Sequence, residues 1–124
     1  MEDSFLNCAS WQAMLACNDM PSSSAAIGLL RRQDFAARRG ALLLLRGNAA
    51  NVREYNGAAG EDVAVLLVGD DDALAALRDT GWEPLPALIR QGRVHPYMLK
   101  TMDELEEAGL AEFVEDLGLI FPKH

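Results

Sequence analysis

Four arginines, Arg31, Arg32, Arg38 and Arg39, gather around Phe35 in a stretch whose one acid is Asp34. On a helix turning about 100° per residue, these five side chains fall within about 120° of one face. Ile27, Leu29, Leu30 and the alanines take the other side. An aromatic flanked by arginines is a recurrent anchor type at protein interfaces. Guanidinium groups beside an aromatic ring also hold phosphates and stack bases. Pairing with carboxylates of the same chain is the plainer use of such a face.

The carboxylates lie downstream. Asp103, Glu104, Glu106, Glu107, Glu112, Glu115 and Asp116 follow one another with no basic residue between them. Glu104, Glu107, Glu112 and Glu115 are the expected acidic face, suited to solvent or to a basic partner. Like charges at this density cost about a few tenths of a kcal/mol per close pair.

His95 is the one internal histidine, with Tyr97 and Lys100 just beyond it. A general base needs a substrate proton or nucleophile within hydrogen-bond reach. His95, Tyr97, Lys100 and Asp70 are therefore the candidate groups for a small enzyme. Cys8, Cys17, His95 and His124 lack zinc-ligand spacing. Residues 47–60 have neither dinucleotide-type glycine spacing nor a Lys-Ser/Thr pair. The expectation is no catalytic residue, no metal and no cofactor.

The elements that must position these groups follow from periodicity and punctuation. Trp11, Met14 and Leu15 share one face of a helix over 8–19, closed before Pro21. Ser22, Ser23 and Ser24 offer caps for a second helix over 24–39, ended by Gly40. Strands are expected at 41–46, at 51–55 as an edge, and at 63–68 as a central strand covered on both faces. Asn56-Gly57 opens a loop. A helix follows over 73–79, then one or two helical turns at 85–90 and a turn at 92–96. Thr101 and Glu104 form a capping-box pattern for a last helix over 102–117.

Val65 to Asp72 is similar over eight residues to receiver domains, where acids at a strand end bind magnesium. In that family the acids follow an N-terminal strand and a lysine follows a later one. Here two expected helices come first and no apolar strand precedes Lys100. Helix capping by an aspartate accounts for the same residues.

These elements make one domain over 1–124, of α+β or α/β class. A sheet of about three strands is expected, with two N-terminal helices and one C-terminal helix packed on it. Half of the chain is hydrophobic and 24% is charged, which is a globular balance. The net charge is −8, and six arginines but only one acid fall within 22–53. Net acidity disfavours duplex nucleic acid. The apolar runs are too short for a bilayer and the acidic N-terminus is unlike a secretory signal, so a cytoplasmic protein is expected.

The functional expectation is a non-catalytic acidic module that binds and inhibits or neutralises a protein partner, of inhibitor, immunity or phage counter-defence type. Arg31, Arg32, Phe35, Arg38 and Arg39 would form its contact surface, the partner would be basic, and a homodimer is open. In size, acidity and layout the chain also loosely resembles class I type III secretion chaperones, which implies a dimer. A small enzyme using His95 is the third reading.

Overall fold

The computed structural model describes residues 8–17, 25–47, 49–110 and 115. In chain order the elements are α1 (Cys8–Cys17), β1 (Ala26–Arg31), α2 (Arg32–Ala37), β2 (Gly40–Arg46), β3 (Ala49–Tyr55), β4 (Val63–Gly69), α3 (Asp71–Thr80), α4 (Leu85–Arg90), β5 (Val94–Met98) and α5 (Met102–Ala108). The fold is mixed α+β, and the sheet has five strands in the order β3-β2-β1-β4-β5. Only β1 and β4 are parallel; every other neighbouring pair is antiparallel.

Two strands exceed the sequence expectation. Residues 26–31, within the helix expected over 24–39, form β1 at the centre of the sheet. Ala26-Ile27-Gly28-Leu29-Leu30 is apolar without interruption and buried throughout. A strand covered on both faces needs no alternation, so period alone does not separate it from a helix. The expected turn at 92–96 instead runs into β5. Pro96 sits there opposite Leu67 on an edge strand, where the missing N–H is tolerated. The expected edge strand is β3, and the expected central strand β4 lies between β1 and β5 with all seven residues buried.

Alternation within each strand divides the sheet into two apolar faces. The first gathers Ile27, Leu29, Leu43, Leu45, Val65 and Leu67 beneath Trp11, Leu15, Leu74, Leu77, Leu85, Leu88 and Leu105 of the helices. The second gathers Ala26, Leu30, Leu42, Leu44, Tyr55, Val63, Leu66 and Val68. Among the described residues, Phe35 of α2 and Ala59 are what the rest of the chain adds to it. Gly28 lies at its centre. A Cβ there would stand 3.2 Å from Leu42 Cδ1 and from Leu66 Cδ1.

The strand directions explain Ala59. β3 and β4 run the same way, so the chain leaves β3 at one end of the sheet and must enter β4 at the other. Between them lie two strands and the seven residues 56–62. The diagonal is about 24 Å from strand spacing and rise. Fully extended chain from Tyr55 to Val63 reaches about 27 Å. With so little slack the connection is a strap across the second face. Arg53 donates to the Ala59 carbonyl at 3.2 Å and Ala26 N–H donates to the Asp62 carbonyl at 2.7 Å.

Candidate functional site

α2 at one end and the strap along the diagonal leave a corner of the second face open, beside the start of β3. There a groove of about 510 Å³ is lined by Ala26, Leu44, Ala49, Asn51 and Val52, with Arg46, Arg53 and Asp62. The register places it: Leu44 faces Asn51, and Arg46 faces Ala49. Its floor therefore continues the apolar face, while its rim carries charge. A volume of this order suits a small-molecule site.

Asp62 organises the rim. Arg53 Nη1 and Nη2 donate to its two carboxylate oxygens at 2.9 and 2.6 Å, and Arg46 Nη2 donates at 3.2 Å. The Arg53 hydrogen bonds, with the charge of Arg53 and then of Arg46, lower the Asp62 carboxyl to about 2. Its partner Arg53 is correspondingly raised. Two guanidinium groups on one carboxylate leave one positive charge in excess. Gly60 allows the close approach: it has φ +105°, and a Cβ there would lie 2.6 Å from Arg53 Nη1.

A second cleft, of about 700 Å³, opens at the carboxyl ends of β1 and β4. The chain leaves these parallel neighbours toward opposite edges of the sheet, the arrangement that creates a crevice in open sheets. Its principal charges are engaged internally. Asp70 caps α3 by accepting from Ala73 N–H at 2.7 Å and receives two Arg93 bonds at 3.2 Å. Those Arg93 bonds lead the causes that lower the Asp70 carboxyl. Arg32 Nη2 donates to the carbonyls of Gly92 and Arg93 at 3.0 and 3.2 Å. The aspartates that resemble a receiver site thus begin a helix. Among the described residues no group of three His, Cys, Asp or Glu side chains is placed to hold a metal.

The expected arginine face does not form. Arg31 ends β1 and pairs with Asp34 at 3.3 Å, and Arg32 begins a helix of six residues. Phe35 is half-buried, joins the second apolar face and packs on Tyr97 with ring centroids 5.2 Å apart. Arg38 closes α2 in the left-handed region at φ 59°, and both Arg38 and Arg39 are exposed. A wheel drawn across a strand, a short helix and its cap does not describe one surface.

The acidic set is divided as well. Thr101 and Glu104 complete their capping box, and Gly109 closes α5 in the left-handed region, short of the expected 102–117 span. Glu104 and Glu107 line a recess of about 220 Å³ with Lys100, Glu61 and Asp62. Backbone and side-chain bonds with Thr101 lower the Glu104 carboxyl. Glu115 is exposed, and Glu112 lies outside the described residues. His95 and Tyr97 share the second-face side of β5, paired with Val68 and Leu66. Neither lines these three clefts, and Lys100 lies at the acidic recess.

Sequence reading missed Asp62 as the shared partner of Arg46 and Arg53. Sixteen positions separate Arg46 from Asp62, and the strap that joins them depends on strand order. The available signal was the uninterrupted apolar run of β4, which requires cover on both faces of the sheet.

No protein-family model and no curated protein matches the sequence. Among solved structures, sterol carrier protein 2 like-3 from Aedes aegypti aligns at 18% identity over 87% of this chain and 92% of its own, with a TM-score of 0.48. The UbiJ-SCP2 ubiquinone synthesis protein aligns at 17% over 94% and 86%, with a TM-score of 0.44. The sec-alkylsulfatase Pisa1 from Pseudomonas sp. aligns at 17% over 91% of this chain, which spans only 14% of that enzyme, with a TM-score of 0.43. The expected inhibitory, partner-neutralising or chaperone-like module with a basic protein partner is withdrawn, because the helix face on which its contact surface rested is not formed: residues 26–31 are strand β1 and α2 runs from Arg32 to Ala37. Among the described residues no helix is long and apolar enough to cross a membrane.

Proposed function

We propose that this chain binds an anionic amphiphile, an apolar chain with a carboxylate-like head, in the groove on the second face of its sheet. The observation that carries this reading is the composition of the groove. Ala26, Leu44 and Ala49 supply an apolar floor, and Arg46 and Arg53 supply a cationic rim with one charge left over from Asp62. An apolar tail gains about 25 cal/mol for each Å² it removes from water. A carboxylate gains charge-assisted bonds from a guanidinium fork. Each half of the ligand thus meets a matching half of the groove.

The test is titration with a fluorescent long-chain fatty acid. Ala49→Glu is the informative variant, because Ala49 is exposed and faces Arg46 across the strand pair. A glutamate there competes for the guanidinium and charges the floor. Wild type binds saturably, and the variant binds about ten-fold or more weakly with unchanged thermal unfolding. Absence of saturable binding, or equal binding by both proteins, would overturn the proposal.

A further inference from the structure

We infer that the two groove arginines divide the work: Arg46 selects the charge of the ligand head, and Arg53 is a positioning residue that holds the strap. This rests on the groove reading above and adds to it the identity of the selecting residue.

The hydrogen bonds separate the two side chains. Arg53 makes three, to Ala59 O at 3.2 Å and to the two Asp62 oxygens at 2.9 and 2.6 Å. Two of its nitrogens are committed to the strap, and Gly60 packs directly against one of them. Arg46 makes one bond among the described residues, at 3.2 Å, and its side chain is 45% exposed. It stands at the last position of β2, opposite Ala49 at the mouth of the groove. An incoming carboxylate can take the Arg46 fork in two bonds while Asp62 stays with Arg53. Taking Arg53 instead would break three bonds and release the strap. Arg46 therefore recognises the anion, and Arg53 preserves the wall beside it.

The experiment compares a long-chain fatty acid with the alcohol of the same chain length in wild type, Arg46→Gln and Arg53→Lys. Hydrogen exchange at the strap amides serves as the second readout. Wild type prefers the acid by about ten-fold, the worth of a charge-assisted pair at a half-exposed site. Arg46→Gln loses that preference, keeps its affinity for the alcohol and, having only one bond to the strap, speeds strap exchange far less than Arg53→Lys does. Arg53→Lys weakens both probes alike and speeds strap exchange. The inference is overturned if Arg46→Gln retains the preference, or if Arg53→Lys removes it while sparing the alcohol. Binding of neither probe by wild type overturns the groove reading itself. Equal binding of both by wild type leaves the groove standing and removes the selecting role of Arg46.

Discussion

Replacing Asp62 by asparagine removes the one charge that Arg46 and Arg53 share, and its effect can be worked from the geometry. The carboxyl lies at about 2 against an ordinary 3.8, chiefly through the Arg53 hydrogen bonds. For a fully shielded group, a fall of that size corresponds to about 2.5 kcal/mol. Here the carboxylate side chain is 35% exposed and the two guanidinium side chains are 45% and 41% exposed. Solvent screening brings the expected loss to about 1 kcal/mol at low salt. The sign follows from the direction of the shift. A depressed carboxyl stabilises the fold above its unfolded value and loses that contribution as pH falls toward its folded value. Urea denaturation of Asp62→Asn and wild type should therefore differ by about 1 kcal/mol near pH 7. The gap stays constant down to about pH 4, then closes as pH falls toward about 2. Added salt narrows it. A difference that persists at the acid end, or none near neutrality in low salt, would refute this account of the strap.

Three further substitutions test the packing and caps. Gly28→Val places methyl groups where Leu42 and Leu66 already stand 3.2 Å from a Cβ position, and costs about 1–3 kcal/mol in denaturation midpoint terms. Thr101→Ala removes the hydroxyl that accepts from Glu104 N–H at 3.2 Å and breaks the reciprocal box, at a cost of about 1 kcal/mol by urea titration. Arg38→Gly relieves a left-handed arginine at φ 59° and stabilises the fold by about 0.5–1 kcal/mol, read as a higher melting temperature.

Features governed by local chemistry were legible in the sequence. An aspartate cap on α3, the Thr101–Glu104 box and the apolar strands β2 and β4 each follow from a few adjacent residues. β1 was not legible as a strand, because serines that resemble caps precede it and arginines at helical spacing follow it. Gly28 inside that stretch was the contrary signal, since glycine weakens a helix interior and permits close packing in a strand. β5 was hidden by Pro96, which an edge strand accepts. Because the groove is made by a crossing connection, none of its residues is marked by local spacing. Its charged members come from the end of one strand, the middle of another and the last residue of the strap. Only strand order brings them together.

The most direct test of the central claim is photo-crosslinking with a diazirine-bearing long-chain fatty acid, with the labelled positions located by peptide mass spectrometry. The account predicts labels on peptides containing Ala26, Leu44 and Ala49, competed away by unlabelled fatty acid. Labels confined to the helices over the first face or to the cleft at Asp70 and Arg93, or labels that excess ligand does not reduce, would contradict it.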